Sequence, residues 1–302
     1  MSKSGKMLAS DFDRTFYVNC EITEANTRAV ENWRQQGNLF VIATGREESI
    51  LREKLEEWEA EADYLICNNG ARIVSWDGRL LYEKIMDTVE VLQMTDCLLE
   101  QYGMPVDVTC KSFRKQVITG TDPEKDLIMY NGIHETITQE DFRKACREVL
   151  QVHVRFSNNE ETCKAAEAIN ARYPGAEAFV NENNADIVSR GLGKAEGIAI
   201  LTKAISFRGQ IAAIGDAHND LGMLRRYQGC TLQAANPAIP PGNPGIPHIC
   251  RRSCLPDLSV HKLTCHLNRP LCFAEPGNFH ASVLHIPFAS RISIKYTLLS
   301  KR

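Results

Sequence analysis

The stretch Asp11-Phe12-Asp13-Arg14-Thr15 decides how this chain is interpreted. It places two carboxylates and a hydroxyl at a spacing of two residues, one residue after the apolar run Met7-Leu8-Ala9. If that run is a strand, both carboxylates leave its carboxyl end, which is where open α/β sheets bind ligands. A nucleophile, a proton shuttle and a metal ligand can share these five residues, and a polar turn is the alternative interpretation.

The composition is that of an ordinary globular protein. Of the 302 residues, 43% are hydrophobic and 24% are charged, which is enough for a full core and a second domain. The net charge of -3 provides no broad basic surface for nucleic acid, and no run of 18 apolar residues is present to span a membrane. We therefore expect neither partner. The start, Met1 to Lys6, lacks a secretory signal, which predicts a cytoplasmic protein with reduced cysteines.

Helical and strand patterns alternate after the opening motif. Thr23 can cap a helix, and Leu39-Phe40-Val41-Ile42-Ala43 is a continuous apolar run typical of a strand buried on both faces of a parallel sheet. The predicted elements are helices at about 23–36 and 47–59, strands at 39–43 and 64–67, and a hairpin of strands 72–76 and 79–82. This order predicts an α/β protein with a doubly wound parallel sheet.

The pattern changes from about Ile85. The predicted elements are then helices near 88–101, 139–150 and 160–172, and strands near 106–110, 115–119, 151–156, 178–180 and 186–188. The parallel pattern resumes with a helix at 193–204 and a strand at 210–214. We therefore predict a core formed by residues 1–84 and 189–237, with an α+β cap domain inserted over 85–188.

Residues 238–302 do not share either pattern. They hold eight of the 12 prolines and five of the eight histidines, and they have eight Lys or Arg against two acids, Asp257 and Glu275. Two interpretations stay open: a solvated, poorly ordered extension, or a reading frame that shifts near Ala238. The spacing of the cysteines and histidines in this tail matches no common zinc finger, so an accidental cluster is favoured over a zinc site.

Three predicted strands end on polar residues that suit a single site. Asp11 and Asp13 follow the first strand, Thr44 follows the second, and Asp216 follows a later one. Because neighbouring parallel strands gather their carboxyl ends in one crevice, three carboxylates would meet there and require a cation. Oxygen ligands without clustered histidine favour Mg²⁺. Asp220, one helical turn after Asp216, is suited to hold a metal-bound water or to orient a ligand.

Lys194 lies at the start of the helix predicted from Gly193. Free backbone amides and a positive charge together suit an anion at such a position, and a solvated lysine is the alternative. The segment does not match a nucleotide-binding P-loop, because Ala195 follows the lysine and the required upstream glycine is missing.

In order and spacing, these residues resemble the four motifs of the haloacid dehalogenase-like phosphatases. The motifs are Asp11-x-Asp13-x-Thr15, Thr44-Gly45-Arg46, Lys194, and Gly215-Asp216-x-x-Asn219-Asp220. Because the inserted domain lies between motifs two and three, the chain looks like the Cof-type, class IIB branch. Asn69-Gly70-Ala71 is similar to a segment that follows the third core strand of that branch. The resemblance covers about residues 6–238 and implies a Rossmann-like core with a cap.

The resemblance implies a role for each matched residue. Asp11 would attack phosphorus and become an aspartyl-phosphate, and Asp13 would protonate the leaving alcohol and then take a proton from the hydrolytic water. Mg²⁺ would be bound by the carboxylates of Asp11 and Asp216 and by the backbone carbonyl of Asp13, supported by Asp220. The residues implied to bind phosphate or substrate are Thr44, Gly45, Arg46, Asn69, Lys194 and Asn219.

The chain departs from the family pattern in two places. Arg14 stands where the family usually has glycine, and arginine tolerates fewer backbone conformations. This predicts either a shifted loop or an additional cation near the phosphate. The family also closes its core with a strand and a helix after motif four, whereas the pattern of this chain fails near Ala238.

The function expected from these residues is that of a Mg²⁺-dependent phosphatase of small phosphorylated metabolites, in particular sugar phosphates. Two alternatives stay open. One is a phosphomutase that uses the same aspartyl-phosphate. The other is a binding protein for phosphorylated ligands with weakened catalysis, which Arg14 and the tail motivate.

Overall fold

The computed structural model describes residues 5–111, 114–118, 135–232 and 248–249, which form two β-sheets with flanking helices. The strands are β1 (Met7–Ser10), β2 (Leu39–Ala43), β3 (Tyr64–Cys67), β4 (Arg72–Ser75), β5 (Leu80–Glu83), β6 (Val106–Cys110), β7 (Arg114–Ile118), β8 (Thr136–Thr138), β9 (Val149–Arg155), β10 (Ala176–Asn181), β11 (Asn184–Ser189), β12 (Ile211–Gly215), β13 (Gln228–Leu232) and β14 (His248–Ile249). The helices are α1 (Glu24–Gln35), α2 (Glu48–Glu57), α3 (Thr88–Tyr102), α4 (Gln139–Ala145), α5 (Asn159–Arg172), α6 (Lys194–Ala204) and α7 (Leu221–Arg226).

The larger sheet has the strand order β14-β13-β12-β1-β2-β3-β4-β5. Strands β14 to β3 are parallel, and β4 and β5 form an antiparallel hairpin at one edge. The chain moves from β1 to β2 and β3 on one side, and later places β12 on the other side of β1. Such a reversal of strand order opens a crevice at the carboxyl ends of the strands. The predicted doubly wound α/β fold is confirmed.

Helices cover both faces of the larger sheet because alternate side chains of its strands point to opposite faces. Leu8 of β1 belongs to an apolar cluster that includes residues of α1 and α2. Its neighbours Met7 and Ala9 belong to a second cluster with residues of α6 and α7. Burial on both faces explains the continuous apolar sequence of these strands. Within the described ranges, no helix is long and apolar enough to cross a membrane.

The smaller sheet has the strand order β10-β11-β9-β6-β7-β8 and a core of its own. Apolar side chains such as Val106, Val152 and Ile187 pack in this core with residues of α3, α4 and α5. All strands of the smaller sheet lie between β5 and α6 in the chain. The boundaries of the inserted cap domain, 85 and 188, stay predictions.

The observed elements differ from the predicted ones in places. The helix expected at 139–150 ends at Ala145, because Cys146 has an extended backbone and the apolar residues after it start β9. Strand β13 was not predicted, because Gln-Gly-Cys-Thr-Leu lacks both an apolar run and a regular alternation. It joins β12 through parallel pairing all the same.

The predicted tail, residues 238–302, lies outside the described residues except for β14. This two-residue strand pairs in parallel with β13, in a segment where no strand was predicted. The cysteines of the tail, which raised the question of a zinc site, are among the residues that the structure does not describe.

Candidate active site

A cavity of about 290 Å³ lies between the two sheets, at the carboxyl ends of β1, β2 and β12. Most of the predicted site residues line it, namely Asp11, Asp13, Thr44, Gly45, Arg46, Lys194, Asp216 and Asn219. The structure therefore brings together side chains that are more than 200 positions apart in the chain. Asn69 and Asp220, also predicted for the site, are buried beside this set without lining the cavity.

Three buried carboxylates meet at the floor of the cavity. Asp11, Asp216 and Asp220 each offer one oxygen within 4.8 Å of the other two. Asp220 Oδ2 accepts hydrogen bonds from the backbone amides of Asp216 and Ala217 at 3.0 and 2.9 Å, and Thr15 Oγ1 donates to Asp216 Oδ1 at 3.1 Å. These bonds fix the loop after β12 and the direction of its carboxylates.

Lys194 supplies a buried positive charge to this cluster. Its Nζ donates to Asp11 Oδ1 at 2.6 Å and to Asp220 Oδ1 at 2.7 Å. The pKa of Lys194 is raised: burial alone would lower it, but the two carboxylates outweigh burial. Lys194 is the first residue of α6 and is buried there, so the solvated-lysine alternative does not describe it.

The cluster carries more negative charge than Lys194 balances. Burial raises the pKa of Asp11 well above its usual range, and Asp220 raises it further against the opposing effect of Lys194. Burial and then Asp220 raise the pKa of Asp216 to about 6, while Arg14 opposes this shift. Binding of a cation to such buried carboxylates stabilises the folded protein.

Asp13 points to a different partner. Arg46 holds its carboxylate with two hydrogen bonds, from Nε to Oδ2 at 2.8 Å and from Nη2 to Oδ1 at 2.7 Å. The Arg46 guanidinium also lies over the rings of Phe12 and Tyr17, at 5.3 and 5.8 Å from their centroids. Proton transfer by Asp13 to another group requires this pair to open.

Arg14 has a left-handed backbone, with a φ of 62°. The loop keeps the conformation that a glycine would favour, and the side chain adds a cation to the carboxylate cluster. Its Nε lies 3.2 Å from Asp216 Oδ2. The guanidinium also contacts Asn181 and Glu182, which belong to the end of β10 and the turn after it.

Comparison with known proteins identifies the family of this site. The sequence model of a family described as haloacid dehalogenase-like hydrolase matches residues 8–239. The chain belongs to the haloacid dehalogenase-like hydrolases. The match includes every motif from Asp11 to Asp220, so the family predicted from the motifs is confirmed.

Two curated relatives and two solved structures extend this finding. A 5-amino-6-(5-phospho-D-ribitylamino)uracil phosphatase of Bacillus subtilis is 26% identical over 225 residues, covering 73% of this chain and 80% of the relative. An uncharacterised protein of Mycoplasma capricolum is 24% identical over 193 residues, 60% of this chain and 66% of its own length. A subclass IIB sugar phosphatase has a TM-score of 0.65 at 22% identity, with 78% of this chain and 90% of that one covered. A protein from Streptococcus mutans has a TM-score of 0.67 at 18% identity, with the same shares covered. These two structures share the fold.

The smaller sheet gives this hydrolase a polar wall opposite the carboxylate cluster. Asp107, His153 and Asp186 lie side by side on β6, β9 and β11, and His153 Nδ1 is 3.1 Å from Asp107 Oδ2. The pKa of His153 is raised: burial lowers it, but the hydrogen bond to Asp107 and the charge of Asp186 outweigh burial. Other cavity-lining residues of the smaller sheet are Thr109, Arg114, Gln151, Asn181, Glu182 and Asn184.

These wall residues were not predicted, although their strands were. On β6, β9 and β11, polar residues alternate with apolar ones, and the apolar residues enter the core of the smaller sheet. The alternation therefore contained the signal for a polar face. The position of this polar face across the cavity from Asp11 depends on how the two sheets meet, which no local sequence pattern encodes.

The loop after β2 approaches this wall closely. A Cβ at Gly45 would lie 2.6 Å from Asp186 Oδ2, so a larger residue at position 45 would displace the Asp186 carboxylate. Asn69 Nδ2 donates to the same Asp186 oxygen at 3.1 Å, and Asn69 thus acts on the wall rather than on the cavity. Its neighbour Asn68 lines the cavity and is 1% exposed, with neither amide atom hydrogen-bonded within the described residues.

Proposed function

We propose that this hydrolase is a Mg²⁺-dependent phosphatase of small phosphorylated metabolites, in particular sugar phosphates. The observation that carries the proposal is the position of Asp11, which follows β1, lies 2.6 Å from Lys194 Nζ and shares a carboxylate cluster with Asp216 and Asp220. A curated relative is a phosphatase, and a solved structure with this fold is a sugar phosphatase. Both support the reaction class.

The carboxylate cluster suits a hard divalent cation. Its donors are oxygens and its acids are buried, and the Oδ1 atom of Asn219, which lines the same cavity, is buried without a hydrogen-bond partner among the described residues. Asp11 and Asp216 would hold Mg²⁺ with the backbone carbonyl of Asp13, while Asp220, whose oxygens accept from Lys194 and two amides, would orient the site. When bound, Mg²⁺ neutralises charge on the phosphoryl oxygens.

The remaining chemistry belongs to the chain's own residues. An Asp11 oxygen attacks phosphorus, the bond from phosphorus to the substrate oxygen breaks, and Asp13 gives that oxygen a proton. Asp13 then takes a proton from water, whose oxygen attacks the aspartyl-phosphate and releases inorganic phosphate and free Asp11. Thr44 Oγ1 accepts a hydrogen bond from the backbone amide of Arg46 at 3.1 Å, so the hydroxyl proton of Thr44 is available to a phosphoryl oxygen. Lys194 neutralises another.

The cavity wall supports a hydroxyl-rich organic group on the substrate. Its carboxylates, amides and imidazole accept and donate hydrogen bonds, and the buried Gln151 Oε1 and Asn184 Oδ1 have no partner in the described part of the chain. Each hydroxyl of a sugar can both donate and accept, which matches such a wall. A cytoplasmic location stays a prediction from the sequence.

Phosphate release from a panel of phosphate monoesters tests this function. Wild type should release phosphate with added Mg²⁺, and Asp11→Asn should be at least about a thousandfold slower, since the nucleophile is lost. Asp77→Asn, in the exposed β4–β5 turn, is the matched control and should keep full activity. Equal rates for wild type and Asp11→Asn would exclude the mechanism.

Two other outcomes, measured with the same panel of phosphate monoesters, would identify the alternatives. An isomerised product that requires a bisphosphate, without phosphate release, indicates a phosphomutase. Substrate binding without turnover indicates a binding protein, which the contact between Arg14 and Asp216 favours.

A further inference from the structure

Position 14 holds a residue whose backbone conformation needs an explanation. The φ of Arg14 is 62°, in a region that favours glycine. Other residues persist there only where their surroundings hold them. The contacts of the Arg14 side chain are therefore expected to stabilise this loop, which also carries Asp11 and Asp13.

The Arg14 guanidinium joins the two sheets. On the side of the larger sheet, its Nε lies 3.2 Å from Asp216 Oδ2. On the side of the smaller sheet, it donates to Asn181 Oδ1 at 3.2 Å and to a Glu182 carboxylate oxygen. The planar guanidinium presents donors in fixed directions, so one side chain can hold both partners at once.

The turn that Arg14 contacts is also held by the start of α5 and the start of β11. Asn159 Nδ2 donates to the Glu182 carbonyl at 2.7 Å, and Asn184 Nδ2 donates to the Asn181 carbonyl at 3.2 Å. A displacement of this turn therefore moves the end of the β10–β11 hairpin. Because Asn181, Glu182 and Arg14 all line the cavity, the same displacement changes its width.

We propose that Arg14 is a positioning residue that links the β10–β11 turn to the Asp216 carboxylate, and so couples closure of the cavity to cation binding. A guanidinium beside Asp216 repels a second cation and occupies one of its oxygens. Cation binding at Asp216 therefore weakens the contact of Arg14 with that carboxylate. By linkage, the two sites oppose each other to the same extent. The cation half of this coupling rests on the proposed function.

Two measurements without substrate test the coupling. Calorimetry gives the Mg²⁺ dissociation constant, and hydrogen exchange reports the opening of the backbone amides in residues 181–184. Arg14→Asn removes the charge while keeping a residue that tolerates the left-handed region. Glu182→Gln detaches the turn and keeps the charge of Arg14. The control is Arg226→Asn, which breaks the Arg226–Glu196 ion pair, about as exposed as the Arg14–Glu182 pair.

We expect Arg14→Asn to bind Mg²⁺ at least about fivefold more tightly, because a neighbouring positive charge is gone. The turn should also exchange faster than in Arg226→Asn. Glu182→Gln should exchange faster, and by linkage its Mg²⁺ affinity should rise above that of Arg226→Asn, because the turn then no longer holds Arg14 in place beside Asp216.

If Arg14→Asn has the same Mg²⁺ dissociation constant and the same exchange rates at residues 181–184 as Arg226→Asn, the proposal is overturned. If only one of these two quantities changes, the coupling is overturned. If wild type binds no Mg²⁺, the proposed cofactor is wrong, and the link between Arg14 and the turn is then decided by the exchange rates alone. Faster exchange in Arg14→Asn supports it, and unchanged exchange refutes it.

Discussion

Replacing Lys194 by methionine should destabilise the protein to an extent that depends on pH. The Lys194 side chain is 2% exposed, and its ammonium group donates to Asp11 at 2.6 Å and to Asp220 at 2.7 Å. Methionine keeps an apolar stem of similar length but removes the charge. Two buried carboxylates then lose their common counter-ion.

The magnitude follows from that geometry. Removing one partner of a buried ion pair costs about 3–5 kcal/mol, and Lys194 serves two carboxylates, so we expect a loss of at least about 3 kcal/mol at pH 7.5. This is a large part of a typical stability of about 5–15 kcal/mol. Burial already raises the pKa of Asp11, and without Lys194 that carboxyl binds a proton still more readily. The loss should therefore shrink at pH 5, where protonation removes the unbalanced charge.

Urea unfolding followed by circular dichroism, at both pH values and with a chelator, measures this loss. Lys203→Met, an exposed position in the same helix, is the matched control and should change stability by less than about 0.5 kcal/mol. Adding Asp220→Asn to Lys194→Met should recover part of the loss. A loss below about 1 kcal/mol at pH 7.5, or the same loss at both pH values, would refute the electrostatic reasoning.

Three further changes test other parts of the site. Asp13→Asn should lower kcat strongly for alkyl phosphates and weakly for para-nitrophenyl phosphate, whose leaving group needs no proton; equal losses in steady-state assays would contradict the acid role. In metal-free protein, burial raises the pKa of Asp216 to about 6, so between about pH 4 and pH 6 the folded state holds a proton that the unfolded state releases. The free energy of unfolding should therefore fall as pH rises through this range. Asp216→Asn should remove this part of the pH dependence in thermal unfolding. Gly70→Ala should lower the free energy of unfolding by more than Gly78→Ala does. Both positions have positive φ, but a Cβ at Gly70 would lie 2.7 Å from the backbone oxygen of Gly193, whereas a Cβ at Gly78 would meet no atom within 4 Å. Equal urea midpoints for the two variants would contradict this clash.

Residues that follow apolar runs were the most predictable part of the site. Thr44 comes directly after a continuous apolar segment, and Asp11 and Asp216 follow such segments after one intervening residue; continuous apolar segments of this length are typical of buried parallel strands. The order of the strands then brings these residues together. The fold and the family followed from this local pattern, while the roles of the individual residues stay predictions.

The partners of individual loop side chains were not predictable. Arg46 binds Asp13 across 33 positions, and Arg14 reaches Glu182 across 168. Both contacts depend on loop conformation and on the relative position of the two sheets, which sequence periodicity does not describe. For Arg14, the missing glycine was visible in the sequence, but the partners of its side chain were not.

The alternation on β6, β9 and β11 separates two tasks within the same strands. Side chains such as Asp107 and His153 face the cavity, while Val106 and Val152 face the core of the smaller sheet. A substitution on the polar face leaves the packing on the other face in place. The repertoire of organic groups accepted by this wall can therefore diversify during evolution, or in a library of variants, without a matching loss of foldability.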